Sequence, residues 1–326
     1  MSGSNMLNKL AAIAKNTFVE TIRQPVYAVI IGIALLLFLL SPSLSMYTMD
    51  DDNKLLREIG LSTLFLTSLF VAIFSASGAV AVELENKTIL TVLTKPVQRP
   101  IFVLAKFLGV AAAVALAHYI GTIALLMVIR HGVLETASDT HDWTVIGSAA
   151  VILAITLLLS TFFNYAYDWK FTSTAVVVLA ILATFGMVFL ALIDRDWQFH
   201  PSQNGIHRLD VYGAALLFLA ALVIAALAVA VSSRFNTVAT LSACIGLFLL
   251  GLTSDYVFGR FAATHLWARI GRALVPNLQV FWISDAIYEG SVVPARYILV
   301  GGAYALCYTT AILAVAVTLF QRRQVG

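Results

Sequence analysis

The sequence has 326 residues, of which 60% are hydrophobic and only 11% are charged, and its mean hydropathy is +0.93. These values exceed those of soluble domains of this length, so we expect an integral membrane protein. The net charge of +3 is small and spread along the chain, which does not favour nucleic-acid binding. The six histidines are scattered singly, and Cys244 and Cys307 both lie inside apolar runs, so no metal site or disulfide framework is expected.

The first predicted element is a basic amphipathic helix at residues 6–24. Its apolar residues recur at three- and four-residue spacing, whereas Lys9, Lys15 and Arg23 fall mainly elsewhere. The helix is too polar to cross a bilayer, and its basic residues suit the anionic headgroups of an inner leaflet. The chain then turns into the membrane at Pro25. An ordinary soluble amphipathic helix is the alternative interpretation.

Eight apolar runs follow, each close to the roughly 20 residues that a helix needs to cross a bilayer. They are too long for alternating strands, and helices satisfy their own backbone hydrogen bonds in lipid. We therefore predict an all-α integral membrane protein with a bundle of six to eight transmembrane helices, eight being favoured. The predicted spans are residues 26–46, 61–82, 102–129, 145–166, 173–193, 211–231, 238–258 and 297–319.

A charged segment at residues 83–100 separates the second span from the third. A charged side chain left in hydrocarbon costs roughly 3 kcal/mol, so this segment must lie outside the membrane. An apolar stripe in its middle predicts a short helix across the ends of two spans, with acids near its N-terminus and Pro96 at its end. The charged residues are Glu83, Glu85, Lys87, Lys95 and Arg99. Lys106, in the next span, is expected to extend its ammonium group toward the same surface.

Residues 259–296, before the last span, are long enough to have structure of their own. Apolar and aromatic residues from Phe261 to Leu274 lie at helical spacing, and Pro276 ends this pattern. A second short helix is predicted around residues 281–290. We expect two short helices on the outer face of the bundle, rather than a soluble cap, because their aromatic residues suit the depth of the lipid headgroups.

The basic residues assign the orientation. With the amphipathic helix in the cytoplasm, eleven of the twenty basic residues fall inside, which favours this orientation by the positive-inside rule. We predict a multi-pass protein of the inner (cytoplasmic) membrane with both termini in the cytoplasm. The basic residues predicted inside are Lys9, Lys15, Arg23, Lys87, Lys95, Arg99, Lys106, Lys170, Arg234, Arg322 and Arg323.

The charged segment and the start of the third span carry the pattern E-x-E-x-K-T-x-x-x-x-L-x-K-P-V-x-R-x-x-F-x-x-x-K-x-x-G. Its residues are Glu83, Glu85, Lys87, Thr88, Leu93, Lys95, Pro96, Val97, Arg99, Phe102, Lys106 and Gly109. The pattern resembles the cytoplasmic coupling segment of type-2 ATP-binding-cassette (ABC-2) transporter permeases. The N-terminal helix is similar to the elbow helix of that family, and residues 232–243 and 275–323 are similar to a later cytoplasmic turn and to its C-terminal third.

The resemblance implies one transmembrane permease domain, residues 1–326, whose coupling helix docks on a separate ABC ATPase subunit. In particular, the chain resembles the permeases of multicopper-enzyme maturation and nitrous-oxide-reductase assembly systems. Two permeases, as a homodimer or a heterodimer, and two ATPases would form the working unit. The family core has six spans, so the surplus pair is expected between about residues 145 and 193. The docking residues that the resemblance implies are Glu83, Glu85, Lys87, Thr88, Leu93, Lys95, Pro96 and Arg99.

The sequence contains no G-x-x-x-x-G-K-[ST] phosphate loop. ATP is therefore expected to be bound and hydrolysed by the partner subunit, and this chain is not expected to be an enzyme or to hold a cofactor. The spans carry few charges, so a pathway lined by Ser, Thr, Tyr, Phe and Gly suits a lipophilic or bulky substrate. Mechanical work on an envelope partner is left open, and membrane lipid is the other expected partner.

An ion-coupled secondary transporter or channel is the alternative function. Such proteins keep ionisable residues deep in their spans, where this chain has mainly His118, for which hydrogen-bonded packing is favoured over a proton relay. An intramembrane enzyme is less favoured still, because the spans lack a nucleophile motif or an acidic pair. The turn at residues 164–174 is interpreted as an aromatic anchor with Trp169 and Lys170, or as a second contact with the ATPase.

Overall fold

The computed structural model describes residues 3–45, 52–81, 98–134, 139–201, 207–288 and 292–321. Within these ranges the chain is built of helices. Seven of them are long and apolar enough to cross a membrane, and two helices that meet at a bend of 66° make an eighth when they count as one span. The prediction of an all-α protein with several membrane spans is confirmed.

The described elements run in chain order as follows. The helices are α1 (Gly3–Arg23), α2 (Pro25–Ser45), α3 (Asp52–Ala76) with a π-helical turn at Ser77–Ala81, α4 (Arg99–His131), α5 (Trp143–Tyr167), α6 (Phe171–Leu192), α7 (Arg208–Ser232), α8 (Thr237–Leu252), α9 (Ser254–Val257), α10 (Leu266–Leu274), α11 (Ser284–Tyr288) and α12 (Ala295–Gln321). Short 3-10 turns at Gly259–Phe261 and Gln279–Phe281 connect the last elements.

Helix α1 lies against the bundle and contacts α2, α4 and α6. Its packed side is buried at Thr17, Thr21 and Ile22, whereas Lys15 and Glu20 are exposed. This division follows from the amphipathic pattern, since one stripe of the helix meets protein and the other meets the surroundings. The chain bends between α1 and α2 without a long linker.

Helices α3, α4 and α7 form the centre of the bundle. Between 61% and 72% of their most apolar stretches is buried inside the protein, against 22–28% for α2, α5, α6 and α12. Alanine lines much of α7, and Ala220, Ala221 and Ala225 have no exposed surface. Small side chains allow helix backbones to approach closely. In lipid, where the hydrophobic effect does not drive helices together, such close packing is what holds them in contact.

Helices α5 and α6 form a hairpin at the edge of the bundle, and α6 joins it to α1, α2 and α4. The Asp142 carboxylate caps α5 by accepting hydrogen bonds from the backbone N–H groups of Thr144 and Val145. At the other end of α5, Asp168 adopts a left-handed conformation with φ of 55°, which short polar side chains tolerate. This pair of spans occupies the region predicted for the surplus pair.

The span predicted at residues 238–258 is broken. Helix α8 ends at Leu252, and α9 continues at an angle of 66°. A segment distant in sequence packs at the break, where the backbone N–H of Leu278 donates to the carbonyl of Gly251 at 3.1 Å. A Cβ atom at Gly251 would lie 2.9 Å from the backbone oxygen of Pro276, so only glycine admits this approach.

The two short helices predicted before the last span are present as α10 and α11. Helix α10 ends two residues before Pro276, as the pattern predicts, and α11 packs on α3 and α7. The Asn277 side chain donates to Asp255 at 2.6 Å, and the Tyr304 hydroxyl accepts from the backbone N–H of Asn277 at 2.8 Å. These two bonds attach the segment around Asn277 to α9 and to α12.

Candidate coupling site

The bundle has two ends, and we call the one that carries α1 the α1 end. The C-terminus of α12, the turn between α5 and α6 and the N-terminus of α4 also lie there. The Arg99 guanidinium donates to the Gln321 carbonyl at 2.6 Å, and the Thr172 hydroxyl donates to the Arg23 carbonyl at 3.0 Å. These contacts bring together segments that are far apart in sequence.

Most of the predicted docking segment, including Glu83, Glu85, Lys87, Thr88, Leu93, Lys95 and Pro96, lies outside the described residues. Its two flanks are described, and both are at the α1 end. The π-helical turn Ser77–Ala81 precedes the segment and contacts α1, α4, α7 and α8. Gln98 and Arg99 follow it and open α4. The docking role of these residues therefore stays a prediction, whereas the structure on both sides of the segment is defined.

The π-helical turn packs against the bend between α1 and α2. A Cβ atom at Gly78 would lie 2.8 Å from the side-chain nitrogen of Gln24, so the Gln24 amide packs directly on the turn. Ser77, Ala79 and Val80 are buried. Short π-helical turns are frequent at functional sites, and this one lies between a central span and the predicted docking segment.

The other flank packs against the end of α12. The Phe102 and Phe320 rings stack with centroids 5.5 Å apart, and the Lys106 ammonium nitrogen lies 5.6 Å from the centroid of the Phe102 ring. Lys106 is 2% exposed, so it is buried instead of extending to the surface as the sequence suggested. The helices packed on this part of α4 cover it, and the ring face offers the ammonium a favourable cation–π contact.

One turn further along, α4 crosses α1. A Cβ atom at Gly109 would lie 2.6 Å from both the backbone oxygen of Ala14 and the Cβ atom of Thr17. Thr17 is fully buried at this crossing. The absence of a side chain at Gly109 therefore allows the two backbones to pack closely.

The described part of the motif is thus one stripe of α4. Arg99, Phe102, Lys106 and Gly109 follow one another at spacings of three, four and three residues, which places them on a single helix face. This stripe meets the C-terminus of α12 at one end and α1 at the other. We call these four residues, with Thr17 and Phe320, the junction. The spacing of these residues could be predicted from the sequence, but the helices that they contact could not.

The basic residues predicted on the elbow helix all lie on α1. Lys15 and Arg23 are exposed, and Lys9 is half-buried. Exposed cations along one side of α1 fit the predicted interfacial position of this helix. Its position in the headgroup plane stays a prediction, since the structure contains no membrane.

His118 is the polar residue that the sequence indicated at mid-depth, and it is buried between central helices. Its Nδ1 atom lies 2.7 Å from the Ser68 hydroxyl on α3, and Nε2 lies 2.9 Å from the Ala214 carbonyl on α7. A neutral ring satisfies both contacts when Nε2–H donates to the carbonyl and Nδ1 accepts from the hydroxyl. This arrangement matches the hydrogen-bonded packing role.

We expect His118→Leu to destabilise the bundle by about 1 kcal/mol, because hydrogen bonds between membrane helices contribute on this order. Chemical denaturation in mixed micelles would measure the change. Leu108→Met is the matched control, since Leu108 lies on the same helix, is 40% exposed and has an apolar side chain that forms no hydrogen bond, so this variant should change stability less. Equal effects of the two variants would contradict a packing role for His118.

Comparison with known proteins adds one finding. Residues 33–239 match the family described as ABC-2 family transporter protein, which is more than half of the chain. The match includes α3, the flanks of the predicted docking segment, the junction stripe on α4 and the hairpin of α5 and α6. No curated protein matches the chain.

Proposed function

Because the chain belongs to the ABC-2 transporter family and is the membrane-embedded permease component of an ABC transporter, we propose that a separate ATPase subunit drives it. In this proposal, ATP hydrolysis by the partner powers the export or flipping of a lipophilic or bulky substrate. Family membership carries the proposal, since ABC-2 permeases generally pair with an ABC ATPase. This proposal is preferred to the ion-coupled secondary transporter or channel that was the alternative function from the sequence.

The docking surface in this proposal is the segment from Glu83 to Arg99. Closure of the ATPase dimer on ATP would displace this segment, and the displacement would reach the spans through its two flanks. The packing at the junction supports such transmission, because movement of the start of α4 necessarily moves its contacts with α12 and α1. Packed interfaces of this kind switch between discrete arrangements rather than deforming continuously.

The nature of the substrate is inferred from the spans. Their charged side chains lie toward the helix ends, as with Arg57 and Asp210, which pair at 3.3 Å near the starts of α3 and α7. At mid-depth, His118 is engaged with Ser68 and Ala214. A pathway of small, hydroxylic and aromatic residues suits an amphipathic or bulky molecule better than a small ion. Mechanical work on an envelope partner remains compatible with the same coupling.

The assembly and its placement complete the proposal. Two permease chains, identical or different, and two ATPase subunits would form the transporter in the inner membrane, with the α1 end facing the cytoplasm. The exposed basic residues of α1 support this orientation by the positive-inside rule. The narrower resemblance to multicopper-enzyme and nitrous-oxide-reductase maturation permeases stays a prediction that the family match does not decide.

The test is charge reversal in the docking segment. We expect Glu83→Lys or Glu85→Lys to lower co-purification of the cognate ATPase about tenfold. The new lysine would face the positive charges that the glutamate is proposed to contact, and repulsion between like charges opposes association. ATP hydrolysis in proteoliposomes should fall in parallel. The tagged wild-type chain, purified from its native membranes, identifies the ATPase subunit.

Asp196→Lys is the matched control, because Asp196 is an exposed carboxylate at the end opposite to α1. It should leave ATPase recovery unchanged. Retention of the ATPase by both glutamate variants at the wild-type level would refute the docking role. Hydrolysis of ATP by the purified chain alone would refute the proposal that a separate subunit hydrolyses ATP.

A further inference from the structure

A cavity of about 510 Å³ opens at the α1 end, between the C-terminus of α1 and the turn that joins α5 to α6. Its size is in the range of sites that hold a small molecule or part of a larger one. None of the junction residues lines it, so the junction does not account for it.

The polar part of the cavity is positively charged. Arg23 from α1 and Lys170 from the turn line it, together with one carboxylate, Asp168. Among the described residues, no carboxylate forms an ion pair with Arg23 or Lys170. Ser173 and Thr174, in the first turn of α6, also line it, where the positive end of the helix dipole adds to the attraction for an anion.

The remaining walls are apolar and lead toward the membrane. Val19 and Ile22 of α1 and Val177 of α6 line it. Val177 is 40% exposed, and Ile181, one turn further along α6, is 52% exposed. A ligand with an anionic head can therefore continue as an apolar chain along the outer surface of α6.

The aromatic residues of the turn place the cavity at the depth of the lipid headgroups. Tyr165 is 90% exposed and Tyr167 is 60% exposed, while the Trp169 ring stacks on Phe163 with centroids 5.0 Å apart. Exposed Tyr and Trp concentrate at the membrane–water interface, where one end of the ring meets lipid and the other meets water. The same exposure argues for a lipid environment rather than an ATPase contact.

We propose that this cavity binds an anionic phospholipid. Its phosphate would contact the Arg23 guanidinium and the Lys170 ammonium, and an acyl chain would lie along Val177 and Ile181. A planar guanidinium and a flexible ammonium are the side chains that proteins use for phosphate. Bound in this way, the lipid would link α1 to the hairpin of α5 and α6. The inference requires the membrane position of the chain but not docking of an ATPase.

The experiment is native mass spectrometry of the purified full-length chain in a non-ionic detergent. The probes are palmitoyl-oleoyl phosphatidylglycerol, the corresponding phosphatidylcholine and inorganic phosphate. We expect phosphatidylglycerol to be retained preferentially. The double variant Arg23→Gln/Lys170→Gln should bind it about tenfold more weakly, in line with the contribution of basic residues near anionic membrane surfaces.

Two further variants sharpen the test. Arg234→Gln removes an exposed arginine from the turn between α7 and α8, at the same end but outside the cavity, and should leave binding unchanged. Asp168→Asn should strengthen binding of phosphatidylglycerol about threefold, because it removes the one carboxylate while asparagine still tolerates the left-handed backbone. An increase in affinity cannot result from misfolding, so this variant stays informative if the double variant is unstable.

Several results would overturn the proposal. Equal retention of phosphatidylglycerol and phosphatidylcholine would do so, as would wild-type affinity in the double variant. Complete competition by inorganic phosphate would indicate a site for a free anion instead. Normal lipid binding with reduced ATPase recovery in the double variant would assign the turn to the ATPase. Because lipid binding is measured without the ATPase, its outcome is independent of the docking test.

Discussion

Gly109→Val is expected to separate α1 from α4 and to destabilise the protein by about 3 kcal/mol, the upper part of the range for overpacked cores. The reason is that the clash begins at the Cβ atom, 2.6 Å from the backbone oxygen of Ala14 and from the Cβ atom of Thr17. Neither atom belongs to a flexible side-chain end, so the helices themselves must move apart. Chemical denaturation in mixed micelles measures the loss.

A control separates this clash from a general effect of valine in a helix. Gly32 lies in α2, and a Cβ atom there would have no neighbouring atom within 4 Å. Gly32→Val should therefore stay close to wild-type stability, because the new side chain enters open space. Gly109→Ala should already show much of the loss. If Gly32→Val and Gly109→Val behave alike, close packing at the crossing is not what Gly109 provides.

The same variant also tests how force passes through the protein. In the proposed complex with a separate ATPase subunit, if α1 stays attached to α4 while the transporter works, loosening the crossing should reduce ATPase stimulation even in the fraction of protein that remains folded. Phe102 and Phe320, at the other end of the junction stripe, would keep their stack. A protein that is destabilised yet fully stimulated would limit the role of α1 to structural support.

Much of the fold follows from hydropathy. The span predicted at residues 211–231 is Arg208–Ser232, and that at 173–193 is Phe171–Leu192. Such runs are recognisable because a helix in lipid must be apolar over roughly 20 residues. The start of α3 shows the limit, because the predicted span begins at residue 61 whereas the helix begins at Asp52. Its first turns carry charges that continue the helix beyond hydrocarbon and pair with other helices, as Arg57 does with Asp210.

The candidate site was less predictable, because its geometry depends on contacts between distant residues. The motif spacing places Arg99, Phe102, Lys106 and Gly109 on one helix face, and this much is present in the sequence. Their partners are not, since Arg99 meets Gln321, which is 222 positions away. Burial of Lys106 likewise depends on which helices cover that face. The cavity beside Arg23 is formed only when α6 packs on α1.

The other large effect is expected at the end opposite to the junction, where three helices meet at one carboxylate. Asp142 is completely buried, and its Oδ2 atom lies 3.4 Å from Nε of Arg130 and 3.5 Å from Nε of Arg195. Arg130 also donates to the Ile193 carbonyl at 2.7 Å and to the Thr144 hydroxyl at 3.0 Å. The cluster therefore joins the C-terminus of α4, the start of α5 and the end of α6.

We expect Asp142→Ala to destabilise the protein by about 3–5 kcal/mol, the cost of leaving a largely buried charge without its partner. Arg130 is the group affected most, because its side chain is only 14% exposed. The substitution also removes the cap of α5, which contributes about 1 kcal/mol. Asp142→Asn isolates the charge, since asparagine caps a helix as well as aspartate does. Denaturation in mixed micelles would compare the two variants.

Asp285→Asn is the matched control for this loss, since Asp285 pairs with Lys54 at 3.9 Å at the same end of the bundle and its side chain is 78% exposed. An exposed ion pair contributes about 1 kcal/mol at most, so this variant should change stability little. A large loss in Asp142→Ala with almost none in Asp142→Asn would assign the effect to the helix cap. Losses in both Asp142 variants, with none in Asp285→Asn, would identify the buried charge as what fixes the α5–α6 hairpin to the bundle. The same hairpin supplies Lys170 to the cavity beside Arg23.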